Sequence, residues 1–226
     1  MSRLRLAMSC PYSLAVPGGV QEQVRAIATE MVARGHRVTV LSPGDDGGAL
    51  EGTGVESRSV GRCISVPANG SRALVSLSLG AAVVAKRELL AEGVDVVHLH
   101  EPLAPVVGWP LMGDAGLRTV ATYHRSGADW LYRTAGFALG ARARRVDRSF
   151  AVSAAAASTA NQMVGIQPDV AFNGIDLERH LEVDPWPTEG PTILFIGRDE
   201  PRKGRQVLLE AARSLRADVV LWSTGD

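Results

Sequence analysis

The sequence predicts a doubly wound α/β protein with a mostly parallel sheet, on three observations. Short β-rich runs alternate with segments of helical period along the chain. Several of those runs are unbroken Val/Ile-rich stretches, as strands covered on both faces require. Composition agrees: 226 residues at 46% hydrophobic and 21% charged are ordinary for a globular protein.

The first element is the run "RLRLAMS", read as a strand, followed by "GVQEQVRAIATEMVARG", read as a helix with Val20, Val24, Ile27, Ala28 and Met31 on one face. Gly35 closes that helix as a C-terminal cap, and "HRVTVLSP" is the next strand. The crossover makes the two strands parallel. The runs "SRSVGRCISVP", "VDVVHLH", "RTVATYH", "RSFAVS" and "DVAFNG" continue the pattern. The uncharged stretch Ala73 to Ala85 reads as a buried or interfacial helix, because its 13 residues fall short of the roughly 20 that a membrane span needs. Residues 1–174 are therefore expected to form one domain around a roughly seven-stranded parallel sheet.

Residues 175–191 carry three prolines and no sustained period, which suits a linker. A fresh β–α–β pattern follows in 192–226, through "TILFIGR", "KGRQVLLEAARSLRA" and "DVVLWSTGD". One such unit cannot bury a core of its own, so the sequence reads as ending just after a second domain begins.

Charge and cysteine content narrow the function classes. The 24 acids balance the 24 bases, which removes the case for bulk nucleic-acid binding and leaves local basic patches open. Two cysteines, Cys10 and Cys63, are too few for a disulfide framework and suit a reducing cytoplasm. The start "MSRLRLAMSC" lacks the apolar stretch of a signal peptide, and a soluble chain is expected.

In open parallel sheets ligands bind beyond the carboxyl ends of the strands. Gly18 and Gly19 fall at such a point, where a strand feeds a helix. Two readings stand: backbone N–H groups left free for an anion at the helix start, or a tight turn after Pro17. The pair is not the dinucleotide fingerprint, because "PGGVQEQ" lacks the third glycine. Other strand ends bring His98, His100, Glu101 and Pro102, then His124, Ser153, and Asn173 with Gly174 and Asp176 to the same rim. Polar groups from several strands argue for a ligand cleft without naming the ligand. A zinc site on His98, His100, His124 and Glu101 is the metal alternative, a hydrolase reading that no Asp or Cys cluster completes. In "FIGRDEPRKG", Arg198 leaves a strand and Lys203 stands where the next helix begins, either as a pyrophosphate site or as a solvated charged loop.

Taken in order, "CPYSLAVPGGVQEQV", "HLHEPLAP", "ATYHRS", "AVSAAA", "NGID" and "GRDEPRKG" resemble the retaining family-4 glycosyltransferases of the GT-B fold, and within them the actinobacterial phosphatidylinositol alpha-mannosyltransferases. The resemblance implies two Rossmann-like domains, the first taking an acceptor and the second a sugar nucleotide, here GDP-mannose, with no metal and no further cofactor. It implies that Gly18 and Gly19 lie against the donor diphosphate and that His124 sits beside the transferred sugar. Arg198 and Lys203 would neutralise the leaving diphosphate. Tyr12, Asn69 and Ser71 would belong to the acceptor side, with a phosphatidylinositol-like lipid or a polyol as acceptor. A cytoplasmic protein, peripheral at the inner face of an anionic membrane, follows from the same resemblance. Lys86, Arg87 and the arginines of "GARARRVDR" are the basic residues available for such contact, although the latter also suit a solvated helix face.

The chain departs from the family at Ala15, where an acidic residue is usual, at Ala68 in place of a tyrosine, and at Leu74 and Ser76 in place of arginines. All four fall on the acceptor side. The family's Glu-x7-Glu motif and nucleoside pocket would follow Asp226, so these residues alone are expected to transfer no sugar at a useful rate. A non-catalytic module that binds acceptor or membrane is the alternative.

Overall fold

A computed structural model describes residues 2–68, 71–181, 183–184, 187–188, 190–197, 201–215 and 219–224. The chain forms two compact units, Met1–Val66 with Ala73–Gly174, and Pro67–Arg72 with Ile175–Asp226.

The elements run in the order β1 (Arg5–Ser9), α1 (Gly19–Ala33), β2 (Arg37–Ser42), β3 (Glu56–Ser59), β4 (Ile64–Ala68), β5 (Ser71–Val75), α2 (Leu79–Ala91) and β6 (Val96–His100). Next come β7 (Arg118–Tyr123), α3 (Trp130–Ala143), β8 (Arg148–Ala151), α4 (Ala154–Val164) and β9 (Asp169–Val170). After them stand α5 (Leu177–Leu181), β10 (Thr192–Phe195), a 3-10 turn at Pro201–Lys203, α6 (Arg205–Arg213) and β11 (Val220–Ser223).

Seven strands of the first unit form one sheet in the order β3-β2-β1-β6-β7-β8-β9, every neighbouring pair parallel. The sheet is doubly wound, as its apolar strands predict. Alternation along β1 and β2 sends Ala7 and Leu41 into one core cluster and Met8, Val38 and Val40 into the other. Val24 and Ala28 of α1 complete the second cluster, whereas α2, α3 and α4 contribute Leu89, Ala143 and Ala160 to the first. Gly35 follows the C-cap with φ +89, and its N–H donates to the Val32 carbonyl, which ends α1 as expected.

Four details differ from the sequence expectation. The run "SRSVGRCISVP" is two strands and not one: the chain turns at Gly61, φ +73, so β3 joins the large sheet while β4 pairs with β5 alone. A side chain at Gly61 would meet the Ser76 hydroxyl at 2.5 Å, which is why a small residue breaks the strand there. The uncharged stretch Ala73–Ala85 begins as strand β5 and becomes helix only after Ser78, whose hydroxyl accepts the Ala81 N–H at 3.3 Å. The segment read as linker contains the short helix α5. Finally, the arginines of "GARARRVDR" are not all solvated. Arg142 donates to the Met112 and Pro110 carbonyls at 2.9 and 3.0 Å, and Arg144 to the Val164 carbonyl at 3.1 Å.

In the second unit β10 and β11 pair in parallel on either side of α6 in sequence. No residue of α6 is buried, as expected of one β–α–β unit. Among the described residues no helix is long and apolar enough to cross a membrane.

Candidate active site

The strand order reverses between β1 and β6, which are neighbours in the sheet although α1 to α2 separate them in sequence. Chains leaving the carboxyl ends of two such strands diverge to opposite sides and open a crevice. Residues 10–19 follow β1 at this point, and Glu101 follows β6 directly.

The structure removes the tight-turn reading of Gly18 and Gly19. Gly18 is the N-cap of α1 with φ −174 and ψ 155, an extended conformation open to any residue, and Gly19 is the first helical residue. Neither has a positive φ. No side chain caps this helix start, so its first N–H groups have no such partner. A Cβ built on Gly19 would meet no atom within 4 Å, and one on Gly18 only the flexible end of Gln21.

At the carboxyl ends of β6 and β7 lies a compact polar cluster. Its centre is Glu101, 1% exposed, which carries φ +46. It is the one non-glycine residue with a positive φ among those described. A left-handed conformation costs an L-residue about 1–2 kcal/mol. Its carboxylate accepts the His124 main-chain N–H at 2.8 Å through Oε2 and the Tyr132 hydroxyl through Oε1. Burial pushes the Glu101 carboxyl up from its ordinary value, against these hydrogen bonds, the Arg125 main-chain N–H and the Arg125 guanidinium, which hold it down. Arg125 itself donates to Asp129 at 2.8 Å and to the Gly127 carbonyl at 3.0 Å, with its guanidinium 4.7 Å from the Tyr132 ring centre. Tyr12 is half-buried, and burial followed by the Glu101 charge pushes its hydroxyl above the ordinary range.

The three histidines form a row. His98 Nε2 lies 2.8 Å from the Thr122 hydroxyl, the His98 and His100 rings are tilted against each other with centres 4.1 Å apart, and His100 stacks on His124 with its Nδ1 3.0 Å from His124 Nε2. Burial lowers His98 and His124 from 6.5 to about 4, the His124 ring adding to the effect on His98. His100 falls well below 6.5 for the same reason, with both other imidazoles contributing. All three are neutral at pH 7.

These contacts sort the residues that the sequence singled out. His124 stands at the end of β7 and is half-buried. His98 and His100 are not rim residues: one is held by Thr122, and the other is 1% exposed. Among the described residues no three of His, Cys, Asp and Glu are arranged to hold a metal. Ser153 is the N-cap of α4, accepting the Ala156 N–H at 3.1 Å. Asn173 and Gly174 lie exposed after β9, and the Gly174 carbonyl accepts from Gln23 of α1 at 2.8 Å. Lys203 is exposed at the end of the 3-10 turn, one residue before the Gly204 N-cap of α6. Arg198 and Asn69 lie outside the described residues, and Ser71 is described only as the first residue of β5. Tyr132, Arg125 and Asp129 were not singled out, and Glu101 was read as a rim residue of a ligand cleft and, in the zinc alternative, as a metal ligand. Its signal was a lone carboxylate before the apolar run "PLAPVVGWPLM".

A doubly wound parallel sheet with polar groups at the carboxyl ends of its strands is an α/β architecture that takes ligands at that edge. The family model for Glycosyltransferase Family 4 matches residues 17–179, and the chain belongs to that family. It is 37% identical over 224 residues to a phosphatidyl-myo-inositol mannosyltransferase of Propionibacterium freudenreichii subsp. shermanii, covering 95% of this chain and 59% of that protein. It is 40% identical over 216 residues to the Mycobacterium tuberculosis protein of the same name, covering 92% and 56%. The chain thus spans less than two thirds of these curated relatives. Among solved structures, a glycosyltransferase from Rickettsia africae superposes with a TM-score of 0.70 at 15% identity, covering 100% of this chain and 61% of that one. A sucrose-phosphate synthase from Thermosynechococcus elongatus gives 0.66 at 17%, covering 99% and 62%. Those two likenesses establish the fold.

Proposed function

We propose that the protein containing these residues transfers mannose from GDP-mannose to a phosphatidylinositol-like lipid or a polyol, with retention at the anomeric carbon and without a metal. The observation that carries the reading is the uncapped start of α1 at the strand-order switch. Its N–H groups and positive dipole end meet open space at Gly19, which suits a diphosphate. The names of the mannosyltransferase relatives support the sugar and the acceptor class.

The chemistry of His124 agrees. An imidazole held neutral down to about pH 4 is a hydrogen-bond partner for an uncharged sugar hydroxyl and a poor general base at neutral pH. In the proposed step the bond from the anomeric carbon to the phosphate oxygen breaks. The acceptor hydroxyl oxygen bonds to that carbon on the same face, and its proton passes to the departing phosphate oxygen. No protein base is required. Arg198 and Lys203 are assigned to the charge of the leaving diphosphate, Gly18 and Gly19 to binding it, and Tyr12, Asn69 and Ser71 to the acceptor.

The test is mannosyl transfer from labelled GDP-mannose to phosphatidylinositol vesicles by the protein purified from its own cells, with and without a chelator. A mannosylated lipid formed equally in both is the expected result. Release of free mannose, or activity abolished by the chelator, overturns the reading. A cellular species of 23.9 kDa that binds inositol phosphate but transfers nothing makes the protein a non-catalytic binding module.

A further inference from the structure

We propose that Glu101 is a positioning residue, a buried carboxylate that fixes where His124 stands at the switch-point crevice. This rests on the reading of His124 as the residue beside the transferred sugar.

The geometry carries the inference. Glu101 directly follows β6 and His124 directly follows β7, and the two strands are neighbours in register through His100 and Thr122. At such a junction an ordinary extended residue would send its side chain to the face of the sheet opposite that of His100. Glu101 instead turns to φ +46 while its N–H still donates to the Thr122 carbonyl at 2.8 Å and its own carbonyl accepts from Ala104 at 2.9 Å. The result is a carboxylate facing inward, with Oε2 on the His124 N–H and Oε1 on the Tyr132 hydroxyl. One group thereby ties β6, the end of β7 and helix α3 together. The imidazole of His124 is held separately, through Nε2 on His100. Main chain and ring are each fixed at one point, and no hydrogen bond to its Nδ1 is found among the described residues.

A core that needed only packing here would use an apolar side chain, since an unpaired buried carboxylate is costly. No ion pair reaches Glu101 within 4 Å among the described residues. Its length and its two acceptors are what the position uses. The charged and titratable groups that influence or adjoin the cluster are Tyr12, His98, His100, Tyr123, Arg125, Asp129 and Tyr132.

The experiment follows the ring signals of His124 by NMR in the 226-residue chain, for the unchanged protein, Glu101→Gln and Glu101→Leu, with His124→Gln used for assignment. In the unchanged protein His124 is expected to titrate at about 4. Glu101→Gln keeps an acceptor for the His124 N–H and a partner for the Tyr132 hydroxyl, so His124 stays there. Glu101→Leu releases the loop, and His124 moves up by about 1–2 pH units toward the solvent value. A folded Glu101→Leu protein whose His124 still titrates near 4 overturns the proposal, because a merely structural residue would lower the melting temperature and leave that value alone. Should Glu101→Leu not fold, amide exchange in the unchanged protein decides. The His124 N–H is expected to exchange on the order of 100-fold more slowly than that of exposed Ser126, and equal rates overturn the proposal. Adding GDP-mannose separates the two readings. If GDP-mannose shifts the Gly19 amide but leaves the His124 signal unchanged, while Glu101→Leu shifts the titration, the positioning role stands and the sugar-side role of His124 falls.

Discussion

Replacing Gly19 by alanine should make the protein more stable and a worse binder of nucleoside diphosphate. The position is the first residue of α1, has no positive φ, and offers a new Cβ nothing within 4 Å. Within the chain, alanine is then the better residue, by about 0.4–1 kcal/mol through loss of unfolded-state freedom. For a domain of this size that raises the melting temperature by about 1–4 °C. The reverse holds for a ligand whose phosphates must sit against the bare helix start. A methyl group there is expected to weaken GDP at least tenfold, about 1.4 kcal/mol. Thermal melts and calorimetric titration with GDP read the two effects on the same samples. Gly18→Ala provides the contrast, since its Cβ would come to 2.5 Å from Gln21 Oε1. Moving Gln21 breaks its hydrogen bonds to the Val16 and Ser13 carbonyls at 3.2 and 3.4 Å, so this variant loses stability. A Gly19→Ala protein that is less stable, or that binds GDP as tightly as before, refutes the reasoning.

Three further outcomes are expected. Histidines held neutral when folded bind protons when unfolded, so stability falls as pH drops from about 6.5 toward 4. Each contributes about 1 kcal/mol per pH unit in that window, and Glu101, shifted upward, opposes them with the opposite sign. Melting temperatures of His98→Gln against the unchanged protein between pH 6.5 and 5 should show a shallower slope, and an equal slope counts against a depressed His98. Gly136→Ala places a Cβ 2.9 Å from the Met163 carbonyl oxygen and 3.1 Å from its Cβ, where α3 meets α4; denaturant titration should show a loss of about 1–3 kcal/mol. Arg142→Ala removes both carbonyl contacts to 110–112 and should cost about 2 kcal/mol, whereas Arg133→Ala on the exposed face of the same helix should stay within about 0.5 kcal/mol in that assay.

The large sheet was legible in the sequence because parallel strands covered on both faces leave short Val/Leu-rich runs, such as "HRVTVLSP" and "VDVVHLH". His124 was legible for a related reason: a polar residue directly after such a run sits at the strand's carboxyl end. The split of "SRSVGRCISVP" was not. Its cause is the approach of Gly61 to Ser76 and Ser78, which are distant in sequence, and only the tertiary structure shows it. The strand-to-helix change inside 73–85 did leave a local signal, the capping serine Ser78, but an uncharged run carries no period to mark the boundary. Tyr132 was invisible for another reason. On a helix flanked by tryptophan, leucine and phenylalanine it reads as a core aromatic, and only its hydroxyl on Glu101 gives it a further part.

Departures from local rules in this chain gather where the strand order reverses. The one left-handed non-glycine residue among those described, a buried carboxylate without a neighbouring cation in salt-bridge range, and the neutralised His100 and His124 lie at the carboxyl ends of β6 and β7, with the neutralised His98 two residues further back in β6. Two buried polar atoms without a partner, His100 Nε2 and the Tyr123 hydroxyl, stand in the same place. Each of these lowers stability, and none is needed to close the sheet. The strands themselves would pair equally well with apolar residues at 98 and 100, as β1 and β2 do with Met8 and Val40 beside them. Strain and buried polarity persist in folded proteins where a ligand or a reaction uses them. Their coincidence at one end of β6 and β7, reached here from backbone angles and hydrogen bonds alone, is what the positioning role proposed for Glu101 accounts for without appeal to any relative.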